Sequence, residues 1–168
     1  MTKDNGFLQS YSFGEWFDVI SIKWFIRCDE PMDTDEISAN LGIQPTRCHT
    51  QGELFWTTVR NPDTDELYKE QIPKPVSLWE INSKGKSELR MVEDHIRYLL
   101  GILEPAREKM QPYLKNKEKY AVGVWINVEW DWDEEGVRRG YTIDGELMLR
   151  LASICHYIEF NMYRLDRK

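Results

Sequence analysis

The stretch that most constrains this chain runs from Tyr120 to Trp132, where two kinds of side chain alternate. A period of two indicates a β-strand, because successive side chains of a strand point to opposite faces of the sheet. One face is apolar and predicts a packed core. The other is small, polar or acidic except for Trp125, which a second layer or a partner must cover if it is not exposed. The apolar face comprises Tyr120, Val122, Val124, Ile126, Val128, Trp130 and Trp132.

Two strand–helix–strand units resemble each other. In the first, the alternating strand Val19–Cys28 precedes a helix that Asp33 caps and Gly42 ends, and a further strand follows the helix. In the second, the strand described above precedes a helix capped by Asp144, and His156–Tyr163 is the closing strand. Duplication and chance similarity both stay open, since many amphipathic helices share such spacing.

Prolines divide the middle of the chain. Glu53–Val59 is a strand candidate, the polar run after it to Pro75 is predicted to be a long exposed loop, and Val76–Ile81 is a short strand. From Ser87 to Lys109, apolar side chains recur at spacings of three and four, which predicts a helix with one buried face. Pro105 either kinks that helix or begins a new one.

These elements predict an α+β fold. Helices that cross over between strands favour a ferredoxin-like α/β sandwich with a βαββαβ core. A C-terminal helix and strand are appended to that core, and an internal βαβ repeat is present if the duplication is real. We expect residues 1–18 to be an N-terminal extension and residues 19–168 to form a single domain. A chain of 168 residues is long enough to bury a core of this kind.

The excess of acidic residues limits the classes of partner that we expect for the chain. The chain has 29 acidic and 22 basic residues, a formal charge of -7, whereas phosphate backbones and anionic membranes are bound mainly through Lys and Arg. We therefore expect neither nucleic acid nor a membrane as a partner. The N-terminus lacks the apolar segment of a signal peptide, and three cysteines without CxxC spacing favour reduced thiols. A cytoplasmic location is the expectation.

Several short motifs carry a family resemblance. They are Asp35-Glu36-Ile37, Leu41-Gly42-Ile43-Gln44-Pro45-Thr46, Gly52, Trp79-Glu80, the strand 122–128 and the segment from Leu147 to Phe160. Together they resemble the bacterial family called domain of unknown function 4279, over most of the chain beyond residue 18. The resemblance implies an α+β domain in small bacterial proteins, and it brings no established activity and no catalytic residue.

Two patterns suggest metal ligands, and each departs from what a metal site needs. Cys48-His49 and Cys155-His156 follow corresponding helices, but neighbours in a strand point to opposite faces and do not readily ligate one ion. The acidic run 131–136 has the alternating carboxylates and the glycine of a calcium loop, yet Thr142 stands where a bidentate carboxylate belongs. No metal and no cofactor are predicted.

An aromatic and acidic surface is the best candidate site. Trp125 shares its strand face with Glu129, and an exposed Trp beside charge is typical of interface anchors. Arg47, in the turn after the first helix, either binds an anion or pairs with Asp29 or Glu30. No catalytic residue is predicted. The predicted binding residues are Trp125, Glu129, Asp131, Asp133, Arg138, Arg139 and Arg47.

We therefore expect a non-enzymatic domain that binds a protein partner. In one version it is an immunity protein whose acidic surface neutralises a basic toxin. One alternative is a small-ligand sensor, in one form a homodimer that pairs edge strands, with a pocket near Arg47 or Arg138. Another is a hydrolase that uses surface carboxylates such as Asp131 and Asp133.

Overall fold

The computed structural model describes residues 19–86, 91–131 and 141–165, which form a mixed α+β structure. A 3₁₀ turn, Glu104–Ala106, joins two of the helices. In chain order the elements are β1 (Val19–Cys28), α1 (Thr34–Leu41), β2 (Arg47–His49), β3 (Leu54–Arg60), β4 (Leu67–Pro73), β5 (Ser77–Asn82), α2 (Val92–Leu103), α3 (Arg107–Lys115), β6 (Ala121–Asp131), α4 (Gly145–Ala152) and β7 (Tyr157–Leu165).

β1 is the central strand of a five-stranded sheet with the order β2-β5-β1-β6-β7. β5 and β6 flank it in antiparallel orientation, β2 pairs antiparallel with β5, and β7 pairs parallel with β6. β1 and β2 are therefore parallel but separated by β5, whereas β6 and β7 are direct neighbours. The two predicted strand–helix–strand units thus differ, because the first spans an intervening strand and the second does not.

The core lies between the sheet and the helices. The even-numbered side chains of β1 are buried on the side where α2 packs, while α1 packs against β5 and α3 against β6. Trp24 and Trp79 meet edge to face with their ring centroids 6.0 Å apart. Both indole N–H groups are satisfied, since Trp24 donates to the Ile154 carbonyl at 2.8 Å and Trp79 donates to Ser38 Oγ at 2.9 Å.

Both predicted N-caps are present. Asp33 Oδ1 accepts from the backbone N–H groups of Asp35 and Glu36 at 3.0 and 2.9 Å, and Asp144 caps α4 in the corresponding way. Gly42 ends α1 with φ at 71°, in the left-handed region that glycine tolerates best. Local sequence therefore decides where these two helices begin and where α1 ends.

The long helix predicted from Ser87 to Lys109 is divided. α2 runs from Val92 to Leu103, and residues 87–90 lie outside the described residues. Pro105 stands in the 3₁₀ turn between α2 and α3, so the predicted helix is interrupted there and α3 begins two residues later, at Arg107. The reason is that proline has no N–H for the carbonyl four residues before it. Among the described residues, no helix is long and apolar enough to cross a membrane.

The prediction of a long exposed loop between Val59 and Pro75 is wrong. β3 and β4 pair over their whole length, from Leu54 opposite Pro73 to Arg60 opposite Leu67, as a separate two-stranded sheet. β4 is exposed at nearly every position, so it lacks the apolar alternation by which a half-buried strand is recognised. The strand that follows α1 in the main sheet is the short β2, whereas the sequence placed the next strand at Glu53–Val59, which corresponds to β3 of the separate sheet.

Candidate functional site

The face of the sheet opposite the helices carries the predicted residue Trp125. Register places Lys23 beside it on β1 and Glu159 beside it on β7. Its ring centroid lies 4.7 Å from that of Phe25, and Lys23 Nζ lies 5.9 Å from the centre of the indole, within the range of a cation–π contact. Tyr157 meets Phe25 edge to face at 6.1 Å. We call Phe25, Trp125 and Tyr157 the aromatic strip.

The aromatic strip is packed tightly against the sheet at Gly123. A Cβ atom at Gly123 would lie 2.6 Å from Phe25 Cζ and 2.7 Å from Tyr157 Cζ, so the two rings meet where glycine leaves room. Phe25 is only 1% exposed although it points away from the helices. The strip is therefore a small apolar layer of its own.

Trp125 itself is half-buried. Its Nε1 is shielded from solvent and has no hydrogen-bond acceptor in the structure as described. A buried donor without an acceptor costs about 1–3 kcal/mol, so this N–H is a local cost to the stability of the sheet. Trp125 is thus partly covered rather than a freely projecting anchor.

The other predicted residues of β6 and the following loop are only partly described. Glu129 lies on the same face as Trp125 and is half-buried. Asp131 is the last residue of β6, and the structure describes its backbone alone. The residues that lie outside the described ranges are Asp133, Arg138 and Arg139.

Arg47 lies far from Trp125. It is an exposed residue of β2, at the opposite edge of the sheet and three strand spacings from β6, which amounts to about 14 Å. Its neighbour across the ladder is Glu80, which is buried and accepts from Asn82 Nδ2 at 3.2 Å. Asp29, one of the predicted partners of Arg47, pairs with Arg27 at 3.4 Å. The structure therefore does not bring the predicted binding residues into one cluster.

The β3–β4 hairpin exposes a surface that the sequence reasoning missed. Leu54, Trp56, Leu67 and Tyr68 are between 46% and 69% exposed. Residues that face each other in an antiparallel pair lie on the same face, and the register puts all of these except Tyr68 on one side of the hairpin. We call this side the hairpin face. It comprises Leu54, Trp56, Thr58, Arg60, Leu67, Lys69, Gln71 and Pro73.

The charge of the hairpin face is opposite to that of the chain as a whole. Its eight residues include Arg60 and Lys69 and no carboxylate. Arg60 is partly neutralised at the tip, where its Nε lies 3.0 Å from Asp65 Oδ1. The carboxylate of β4, Glu70, belongs to the other face and accepts from the Tyr68 hydroxyl at 3.4 Å. An apolar surface with local positive charge is the result.

A comparison with protein-family models identifies the family of the chain. A family model described as Domain of unknown function (DUF4279) matches residues 22–165, which is most of the chain. The chain belongs to this family. The match runs from β1 to the end of β7 and includes both the aromatic strip and the hairpin face. No curated protein and no solved structure matches the chain.

The Cys155-His156 doublet of this DUF4279 domain makes structural contacts. His156 Nδ1 accepts from the Val122 N–H at 3.2 Å, and Nε2 donates to the Leu114 carbonyl at 2.9 Å. The Cys155 thiol donates to the Leu151 carbonyl at 3.3 Å, and burial raises its pKa to about 11. No group of three or more metal-ligating side chains occurs in the part of the chain that the structure describes.

A serine and a histidine also meet inside the DUF4279 core. Ser83 Oγ lies 2.8 Å from His95 Nδ1 and accepts from the Ile22 N–H at 2.9 Å. Neither residue is more than 2% exposed, so a substrate from solvent has no access to this hydroxyl. The pair therefore satisfies buried polar groups of β1 and α2 rather than forming a nucleophile and its base.

Proposed function

We propose that this DUF4279 domain is a non-enzymatic protein-interaction domain that binds its partner through the hairpin face. The observation that carries the proposal is Trp56, which is 68% exposed on a two-stranded sheet outside the core. Leu54 lies next to it on the same face and Lys69 lies on the adjacent strand. A projecting hairpin with an exposed indole and an arginine on one face carries two of the residue types that are enriched in interface hot spots.

Burial of Trp56 alone would make a large contribution to binding. A Trp side chain buries about 150–250 Å² when fully covered. Covering the exposed two-thirds of Trp56 would contribute roughly 3 kcal/mol at about 25 cal/mol per Å². Leu54 adds to this, while a hairpin left in water gains nothing from such groups. We expect Trp56 to be the residue whose truncation weakens binding most.

The charge of the hairpin face favours an acidic partner surface. Arg60 and Lys69 would meet carboxylates there, and such complementarity speeds association and excludes wrongly charged partners. The immunity-like version, an acidic surface that neutralises a basic toxin, depends instead on the acidic end of β6 around Glu129. The hairpin face therefore supports protein binding but not that version of it.

Affinity capture with matched variants tests the proposal. Purified wild-type protein, Trp56→Ser and Leu149→Ser are each used to capture proteins from an extract of the native host. Leu149 is 75% exposed on α4, so its variant controls for loss of a surface apolar group. We expect a protein that wild type and Leu149→Ser retain and Trp56→Ser loses. The proposal would be contradicted if Trp56→Ser retained the captured protein at the wild-type level. It would also be contradicted if nuclease treatment abolished the capture, or if no protein were captured specifically.

We also propose that β1, α1, β2, β5, α2–α3 and β6 are a ferredoxin-like βαββαβ core. Supporting this, β5 pairs between β1 and β2 and is antiparallel to both, and β6 pairs on the other side of β1. The β3–β4 hairpin would be an insertion before the third core strand, and α4–β7 the predicted appendage. Nuclear Overhauser effects between backbone protons of β2 and β5 test the order, and direct β1–β2 contacts would contradict it.

A further inference from the structure

β7 is an edge strand whose outer side is free in the sheet as described. It pairs with β6 on one side and is the last strand in the order. It spans nine residues and contains neither proline nor lysine. Natural sheets usually protect an edge of this length with proline or with several charged residues, and the charged residues of β7 are Glu159 and Arg164, whereas unpaired N–H and C=O groups are a template for another strand.

The helix side of this edge is apolar and exposed. Phe160 and Met162 pair in register with the buried residues Ile126 and Val128, yet they are 48% and 45% exposed. The helical layer therefore leaves the outermost part of the sheet uncovered. A groove of about 420 Å³ remains there, lined by Tyr141, Ile143, Met148, Phe160 and Met162.

We propose that a second copy of this chain pairs with β7 in antiparallel orientation, joining the two five-stranded sheets edge to edge across a two-fold axis. The axis stands perpendicular to the sheet and passes through the pair of Asn161 residues, which are the midpoint of Tyr157–Leu165. All nine residues of each strand then find a partner, with roughly one hydrogen bond per residue.

The register follows from the side chains. Facing residues of an antiparallel pair lie on one face, so centring on Asn161 places Phe160 opposite the partner's Met162, and Met162 opposite the partner's Phe160. The four apolar side chains form one continuous strip along the joint, and each copy covers the open side of the other's groove.

The proposed register also keeps the carboxylates of the two copies apart. Two copies of a chain with a net charge of -7 repel each other in general, so a stable joint must avoid facing carboxylates. The carboxylate of β7, Glu159, lies opposite position 163 of the partner strand, which is a tyrosine. The same patch serves both copies, as the isologous contact of a two-fold dimer requires.

Sedimentation velocity of the full chain over a concentration series tests the dimer. We expect wild type to shift from 20.0 kDa towards twice that mass as concentration rises. Met162→Lys should stay monomeric with an unchanged circular dichroism spectrum. Leu149→Lys, outside the groove, and Trp56→Ser, on the hairpin, should still dimerise. A wild type that stays monomeric, or a dimer that Trp56→Ser abolishes and Met162→Lys leaves intact, overturns the proposal.

Cysteine cross-linking tests the register without relying on a destabilising change. At the two-fold axis the Cα atoms of facing residues lie about 4.5–5.5 Å apart, which a disulfide can span. In a Cys48→Ser background, Asn161→Cys should therefore cross-link under mild oxidation and Glu159→Cys should not. Cross-linking at position 159 in preference to position 161 overturns the proposed pairing.

Discussion

Gly123 is the residue at which the aromatic strip leaves least room. An alanine Cβ would lie 2.6 Å from Phe25 Cζ and 2.7 Å from Tyr157 Cζ, so both rings would have to move within a packed layer. We expect Gly123→Ala to lower the free energy of unfolding by about 1–3 kcal/mol, as overpacking typically does. Urea denaturation followed by tryptophan fluorescence measures the change.

Gly101 offers a matched control for that substitution. It lies in α2 with nothing within 4 Å of a Cβ, so Gly101→Ala should leave stability unchanged or raise it by about 0.5–1 kcal/mol through helix propensity. Equal effects of the two substitutions would show that the rings over Gly123 adjust freely, and the strip would then not be a packed layer.

His49 makes the stability of the chain depend on pH. Burial lowers the pKa of its imidazole from 6.5, the charges of Lys74 and Arg47 lower it further, and Glu53 opposes them. The unfolded chain therefore binds a proton more readily than the folded one, so stability is full above pH 6.5 and falls as pH drops through that value towards the folded-state pKa. His49→Gln should flatten the fall, as measured by urea denaturation above and below pH 6.5.

Lys74 provides a second test of the same cause. Lys74→Ala removes one of the positive charges that lower the pKa of His49, so the pH dependence should become shallower than in wild type but remain steeper than in His49→Gln. An equal slope in wild type and His49→Gln would assign the pH dependence to other groups.

At the scale of elements, the two N-caps that the sequence predicted should stabilise their helices. Asp33 and Asp144 each accept two backbone N–H groups at the start of a helix. We expect Asp33→Ala and Asp144→Ala each to cost about 0.5–2 kcal/mol of stability. Asp35→Ala, in the first turn of α1 but not its cap, should cost less than either. Chemical denaturation of the three variants decides this, and a cost for Asp35→Ala as large as that for Asp33→Ala would contradict the capping role.

Elements with a local signature were predictable, whereas elements defined by distant partners were not. β1 and β6 alternate between a buried and an open face, so their sequences alone indicate strands. β2 has three residues and is a strand because β5, from Ser77, pairs with it. β4 is exposed along its length, so that its hydrogen bonds to β3 rather than its composition make it a strand.

The candidate site shows the same limit. Alternation placed Trp125 on the open face, and the structure confirms that face through its register with Lys23. What covers a side chain depends on other strands, so the contact with Phe25 was not predictable from β6 alone. Trp56 was overlooked because its face is recognisable only once β4 is paired. The segment Asn61-Pro62-Asp63, which has turn-forming residues directly after the candidate strand Glu53–Val59, was a usable signal of a hairpin.

At the scale of the whole molecule, the hairpin and the main sheet are separable. The strands β3 and β4 form their own sheet and contribute no residue to the buried core described here. The hairpin is closed at its base, where the Gly52 N–H donates to the Lys74 carbonyl at 2.9 Å and the Lys74 N–H donates to the Glu53 carbonyl at 2.8 Å. We therefore expect that the hairpin can vary without disturbing the fold that carries it.

Excision of the hairpin tests this separation. Replacing residues 53–74 with Gly-Gly joins ends that already lie close together, and it keeps the bond from the Gln51 N–H to Ser77 Oγ at 2.9 Å. We expect the shortened chain to unfold cooperatively, with a loss below about 2 kcal/mol, or a fall in Tm of roughly 4–8 °C at most. Near-ultraviolet circular dichroism from the buried Trp24–Trp79 pair should persist. A shortened chain that lacks this signal or a cooperative transition would contradict the separation. It would show that the five-stranded sheet needs β3 and β4 for its stability.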